Sequence, residues 1–302
     1  MSISIPQLRG FVELAEHLSF KHAAARLNIT QPALSNQIKA LEQSLGARLF
    51  VRTTRSVELT SEGVKFFRRA RRTLADFDSA VADIRAPAGP RRGIVTFACI
   101  PTVAGHVFPR IIRQYIKRHP DVTIEMLDEE TVAMERKILN RDVDFGVGGR
   151  PRRGEDFTFA PMLQDPFVLV CRRDHPLSIK RHIGIDDALK YPIISLAKGS
   201  NVRETTQAYF SETGRTFSPA FELLHHYTVG AMVEAGLGIA FLPSQATAMI
   251  RMSARVKTVK LADTKFARPV GLITRKVDGL PPMASDFYAF TVQTMKSMHS
   301  TR

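Results

Sequence analysis

The chain has 302 residues, 44% of them hydrophobic and 24% charged, an ordinary globular composition with room for two or three domains with real cores. Two cysteines and no apolar run of about 18 residues exclude a disulfide scaffold and a membrane-spanning segment. A net charge of +14 and a pI near 10.2 point to a polyanion or anionic ligands as partners without deciding the fold.

The charge is uneven. Residues 1–92 hold 15 Lys and Arg against 8 Asp and Glu, +7, so the excess is denser in the N-terminal third. The first residues run straight into an amphipathic pattern, without the basic, apolar and small-residue order of a secretory leader, and the expectation is a soluble, cytoplasmic protein. Cys99 and Cys171 lie in apolar, strand-like runs and read as small buried hydrophobes.

From about residue 6 to residue 84 the pattern is helical, interrupted once by a short β-rich stretch at 49–59. Leu8, Phe11, Val12, Ala15 and Leu18 recur at helical spacing and predict a first helix with one apolar stripe. Ser19 is placed to cap a second helix, whose stripe is Phe20, Ala23, Ala24 and Leu27; its alanines allow close helix approach. Asn28 and Ile29 form a tight turn. Thr30 then caps a third helix with Pro32 in its first turn, where a missing N–H costs nothing.

At about 100° per residue, Leu34, Ile38, Leu41 and Leu45 fall on one side of that helix, and Gln31, Ser35, Asn36 and Lys39 on another. One face packs and the other is free to read. Gln31 and Asn36 suit an adenine edge, Ser35 suits several bases, and Lys39 suits a guanine edge or a phosphate. Periodicity alone fits a small helical bundle with a solvated polar face equally well.

The residues themselves weigh against the bundle. Ala23-Ala24, Leu27, Gln31-Pro32-Ala33-Leu34-Ser35, Gln37-Ile38, Leu41-Glu42, Leu45-Gly46, Leu49-Phe50, Arg52, Leu59-Thr60 and Gly63 follow one another at fixed offsets. The run resembles, almost position for position, the winged helix-turn-helix of the LysR-type transcriptional regulators. The resemblance implies DNA contacts from Thr30, Gln31, Pro32, Ala33, Ser35, Asn36 and Lys39; Asn36 departs from the arginine that many members carry there. Residues 49–59 fit the wing, with Arg52, Thr53, Thr54 and Arg55 between two short strands, suited to phosphate or minor-groove contacts, or else a solvated turn.

Beyond a cap at Thr60, the residues Phe67, Ala70, Leu74, Phe77, Val81 and Ile84 are spaced 3-4-3-4-3, the seam of a coiled coil. The stripe either packs on its own chain or pairs two chains; the family resemblance favours a dimerising linker helix. Arg68, Arg69, Arg71 and Arg72 lie off the seam, solvated or near DNA. Two prolines and a glycine in 86–92 then predict a hinge.

Strand-like runs at 94–100, 122–127, 143–147, 167–171, 193–196, 239–242 and 270–273 alternate with helical ones and predict an α/β domain with mostly parallel strands. His119-Pro120-Asp121-Val122, Asp142-Val143-Asp144-Phe145-Gly146, Asp174-His175-Pro176-Leu177 and Gly236-Leu237-Gly238-Ile239-Ala240-Phe241-Leu242-Pro243 resemble the effector-binding domain of the same family, with the two-lobed fold of periplasmic solute-binding proteins. The expected protein is α+β and multidomain: a winged helix-turn-helix at 1–59, a dimerising linker helix and hinge at 60–92, and an effector-binding domain at 93–302. Lobe one is 93–163 plus 267–302 and lobe two 166–264, with crossings near 164–166 and 265–269.

In such a fold a ligand sits where strand ends meet helix N-termini. The candidates are Pro101, Thr102, Val103, Ser200 and Asn201 in two loops, Gly146–Gly149 and Thr228 as floor, and Arg203, which either meets an anionic effector or makes a structural ion pair. For each alone, helix capping explains the residue as well. His225, His226 and Tyr227 match no metal spacing. Without a GxSxG, HExxH, Walker or dinucleotide motif, no enzyme and no cofactor are expected. Some relatives sense oxidants with cysteines before the lobe-two helix; this chain has none there.

The expected function is sequence-specific DNA-binding transcriptional regulation under control of a small-molecule effector. The partners are operator DNA, the chain itself as homodimer or tetramer, an effector favoured to be anionic, and RNA polymerase. The alternatives are a small-molecule-binding protein and a nonspecific DNA-binding protein.

Overall fold

The computed structural model describes residues 3–53, 56–85, 93–247, 254–277 and 279–300. It forms two compact units, and the chain passes from the first to the second after Ile94.

In the first unit α1 (Ile5–His17) starts on a capping box. The Ser4 side chain accepts the Gln7 N–H, the Gln7 side chain accepts the Ser4 N–H, and Pro6 sits in the first turn. The helix buries Phe11, Val12, Leu14 and Ala15. Leu18, expected on that stripe, instead ends the helix at φ 48° and is 45% exposed, while Leu14 takes the core position. Ser19 caps α2 (Phe20–Arg26), and Ala23 and Ala24 are buried. Thr30 caps α3 (Gln31–Leu45) by accepting the Ala33 N–H at 3.3 Å, and Gly46 stops it at φ 65°, a conformation glycine adopts without a Cβ clash.

An antiparallel hairpin follows, β1 (Phe50–Arg52) and β2 (Val57–Leu59), then the long helix α4 (Ser61–Arg85). The Thr60 hydroxyl fixes their junction, donating to the Arg48 carbonyl at 2.8 Å and accepting the Gly63 N–H at 2.9 Å. Glycine is required at 63: a Cβ would stand 2.1 Å from the Leu49 carbonyl oxygen. Phe11 is the hub of this core, its ring 5.4 Å from Phe50 and 5.0 Å from Phe66. Ala70 and Leu74 belong to the same core, so the first half of the predicted seam is packed on its own chain. Phe77 and Ile84 remain 44% and 83% exposed.

The second unit runs β3 (Gly93–Cys99), α5 (Pro101–Ala104), α6 (Phe108–Arg118), β4 (Val122–Asp128), α7 (Thr131–Leu139), β5 (Phe145–Gly149) and the 16-residue β6 (Phe157–Arg172). Then come β7 (His182–Ile183), α8 (Ile185–Ala188), β8 (Ile194–Leu196), α9 (Asn201–Glu212), β9 (Phe221–Leu223), α10 (His226–Glu234) and β10 (Ala240–Pro243). After β11 (Val256–Leu261), β12 (Ala267–Arg275) and α11 (Pro282–Ser300) close the chain.

The strand order is β4-β3-β5-β12-β6-β11-β7, with β10 also on β6. Parallel pairing holds for β3 with β5, β8 with β9 and β11 with β7. The strands around β6 depart from the expected parallel pattern: β12 is antiparallel to β5 and β6, and β10 and β11 are antiparallel to β6. The reason is topological. β6 carries the chain out and β12 returns alongside it, from Ala267 opposite Pro166 to Arg275 opposite Phe157.

Two aromatic cores flank that crossing. Phe97 lies 4.6 Å from Phe108, 5.3 Å from Phe145 and 5.5 Å from Phe287. On the other side Tyr209, Phe266 and Phe167 form a stack, with Phe266 4.1 Å from Tyr209 and 4.3 Å from Phe167. Such rings contribute about 0.5–1.5 kcal/mol per pair beyond the area they bury.

Candidate functional sites: a reading helix and a buried arginine cleft

Helix α3 presents the division the sequence predicts. Leu34, Ile38 and Leu41 are fully buried, while Gln31, Pro32, Asn36 and Lys39 are exposed and Ala33 and Ser35 half-buried. Thr30 is exposed and spends its hydroxyl on the cap. The wing differs in one respect. Arg52 donates to Glu42 at 3.2 Å and lies over the Phe20 ring at 4.9 Å, and Glu42 also accepts the Leu49 and Phe50 N–H groups. Arg52 therefore ties β1 to α3 and α2. Thr53 closes the hairpin, its N–H donating to the Ser56 carbonyl at 2.9 Å. Thr54 and Arg55 lie outside the described residues.

In the second unit two of the predicted residues, Thr102 and Asn201, meet at a side chain that the sequence pattern did not single out. Arg268, 2% exposed, donates from Nε and Nη2 to Asp165 Oδ2 at 3.3 and 3.1 Å. It also donates to Thr102 Oγ1 at 2.8 Å and to Asn201 Oδ1 at 3.3 Å. The other oxygen of Asp165, itself 0% exposed, accepts the Ser244 hydroxyl at 2.8 Å and the Gln245 N–H at 3.1 Å. Thus the two crossing strands, the N-terminus of α5, that of α9 and the turn after β10 meet at one ion pair. Burial pulls the guanidinium below its usual range, and Asp165 opposes that pull.

Around this pair stand Glu130 and Thr131 at the start of α7 and His226 at the start of α10. Burial raises the carboxyl of Glu130 above the usual range, against the pull of Arg268. Burial, with Arg268 nearby, lowers His226 to about 4, so it is neutral at pH 7. Thr131 Oγ1, His226 Nε2 and Gln245 Oε1 are buried without a hydrogen-bond partner, and native proteins leave few buried polar groups so.

Several predicted effector residues are placed otherwise. Ser200 caps α9, accepting the Arg203 N–H at 3.1 Å. Arg203 points elsewhere, donating to Gln207 at 2.9 Å and Glu222 at 3.2 Å with Phe217 beneath it, so it is a structural ion pair. Gly146 is not in the cleft floor: a Cβ there would meet Met134 at 2.4 Å and Ile138 at 2.8 Å, under α7. Gly149, in the same predicted floor, lies against Asn201, where a Cβ would stand 2.3 Å from the Asn201 amide. Val103 is fully buried, Pro101 is half-exposed, and Thr228 is half-buried two residues past His226. The missed pair had a faint signal: opposite charges, Asp165 and Arg268, stand in the two apolar stretches where the chain crosses.

Comparison with known proteins assigns both parts of the chain to one family. Residues 5–64 match the family model described as "Bacterial regulatory helix-turn-helix protein, lysR family", and residues 88–296 match that of the "LysR substrate binding domain". The chain belongs to the LysR family. As a LysR-type transcriptional regulator it combines a DNA-binding helix-turn-helix with an effector-binding domain.

The HTH-type transcriptional regulator YbhD of Escherichia coli strain K12 is 34% identical over 292 residues, covering 97% of this chain and 92% of YbhD. A mutant OxyR of Corynebacterium glutamicum, 23% identical, superposes with a TM-score of 0.70 over 99% of this chain and 95% of that one. CbnR, solved in complex with its target DNA and 22% identical, gives 0.59 over 97% and 100%. Among the described residues of this LysR-type regulator, no helix is long and apolar enough to cross a membrane.

The cysteines of this regulator lie away from Arg268 in sequence and are buried. Burial raises the Cys99 thiol well above its usual range and Cys171 to about 11, which suppresses the reactive thiolate. The variants Cys99→Ser and Cys171→Ser are expected to keep operator binding and regulation within about twofold of wild type, measured by a reporter with and without peroxide. A peroxide response that disappears with either cysteine would overturn this.

Proposed function

We propose that this regulator reads one short operator by laying the exposed face of α3, Gln31, Pro32, Ser35, Asn36 and Lys39, in the major groove, with Ala33 approaching closely and the wing residues Thr53 and Arg55 at the backbone. The observation that carries this reading is the capped helix with a fully packed apolar side and, on the other side, exposed amides and an ammonium with the half-buried Ser35 hydroxyl among them.

The chain acts in the cytoplasm as a dimer held by α4, whose exposed Phe77 and Ile84 need a second copy to cover them. The C-terminal domain is two lobes, 93–163 plus 267–302 and 166–264, and its effector lies in the cleft between them, beside Thr102, Asn201 and Arg268. What supports this is the buried pair at the crossing and the unpartnered groups around it. Effector binding favours one arrangement of the lobes, and the resulting change in dimer association alters DNA bending and contact with RNA polymerase. Such a shift needs the effector to bind one arrangement better than the other.

Footprinting tests the reading: protection is expected over one operator with two half-sites. Phe77→Lys is expected to move the sedimentation of the protein toward monomer and to weaken operator protection by tenfold or more, on the order of the loss of bivalency. Uniform coating of DNA, or full protection by a monomeric variant, would sink it.

A further inference from the structure

The charge of the whole chain points to an anionic effector, and the charges inside the cleft point the other way. A guanidinium offers five N–H donors. On Arg268 two of them go to Asp165, one to Thr102 and one to Asn201. A ligand carboxylate would find the place before the arginine already held by a carboxylate that is 0% exposed.

The second place an anion favours is the N-terminus of α9, where helix N–H groups lack partners. The chain fills that place too. The Asn201 N–H faces the carboxylate of Glu130, and the Ser200 hydroxyl takes the N–H of Arg203. Asp165 is paired with Arg268, and Glu130 has no ion-pair partner within 4 Å among the described residues. Three buried polar groups stand without partners beside the cluster, Thr131 Oγ1, Gln245 Oε1 and His226 Nε2. Gln245 Oε1 is buried without one, while its backbone N–H, bonded to Asp165, anchors it beside the cluster. His226 Nε2 is equally buried and unpartnered, at the start of α10.

Buried charge and buried acceptors are costly unless met. We propose that the effector of this chain is a small organic cation, an amine, whose charge is met by Glu130 and whose N–H donors serve Gln245 Oε1 and His226 Nε2. Asp165 stays with Arg268 and holds the crossing. The proposal rests on reading the interlobe cleft as the effector site.

Calorimetric titration of the full-length protein with butylamine, putrescine and agmatine, and with butyrate, succinate and benzoate at matched ionic strength, tests it. An amine is expected to bind and the carboxylates not. Glu130→Gln should weaken that binding by about tenfold or more, and Glu130→Asp should keep most of it. Unchanged circular dichroism and operator binding show that the variants are folded. Binding of a carboxylate that depends on His226 would overturn the cation while keeping the cleft. Amine binding that survives both Glu130→Gln and His226→Ala would overturn the cleft as well. No binding by any amine also counts against the proposal.

Discussion

Replacing Arg268 by alanine is expected to destabilise the C-terminal domain by about 3–5 kcal/mol, because it strands a buried carboxylate. Asp165 is 0% exposed, and two of its four contacts come from this guanidinium. The Ser244 hydroxyl and the Gln245 N–H remain, but neither carries charge. The double replacement Asp165→Leu with Arg268→Met is expected to regain most of the loss, since an apolar pair of similar size removes the desolvation cost that the ion pair must offset. Urea unfolding followed by circular dichroism reads both. If the single variant loses less than about 1 kcal/mol, the pair is not what pins the crossing. Recovery of stability in the double variant without recovery of effector response would separate the structural role of Arg268 from its proposed place beside the effector.

The DNA-binding third was legible because its information is local. Each helix announces its start with a capping side chain, Ser19 or Thr30, and its buried face by a 3.6-residue period that Leu34, Ile38 and Leu41 obey. Leu18 misled because periodicity cannot see a helix end: the stripe continues through a residue that has already turned to positive φ. The seam of α4 misled for a related reason. Spacing gives a face but not what covers it, and Ala70 and Leu74 are covered by α1 and its neighbours in the same chain.

The candidate effector site was legible only in outline. The loops at 101–103 and 200–201 follow from strand-to-helix transitions, which are local. Arg268 and Asp165 are 103 residues apart, and their meeting depends on β12 running back along β6, a pairing no short-range pattern encodes. Arg203 illustrates the converse. Its position one turn into a helix fits a ligand contact or a structural ion pair, and what decides is that Gln207 lies four residues on, on the same helix face, and Glu222 arrives on β9. Gly146 shows the period-2 limit: alternate residues of β5 face opposite sides, so one step along the strand separates a residue under α7 from one facing elsewhere.

The second large effect concerns α3. Gln31→Ala is expected to reduce discrimination between operator and mismatched DNA by roughly 10- to 100-fold, the range for one lost bidentate base contact. Gln31 is exposed at the first turn of α3, where a recognition helix brings its N-terminal residues to base edges, and its side chain takes no part in the cap that Thr30 forms. Helix stability should therefore be nearly untouched. Ser35→Ala, one turn further along the same face, is expected to act in the same direction. Lys39→Ala should instead weaken binding to all sequences alike and lower its salt dependence, as loss of a phosphate contact does. The contrast is the informative part, since misfolding would reduce every DNA affinity and the salt slope together. Competition titrations against operator and scrambled DNA at two salt concentrations separate these outcomes, with effector binding by the C-terminal domain as the internal control. If Gln31→Ala behaves as Lys39→Ala is expected to, α3 holds the DNA backbone and the reading of sequence must come from another surface.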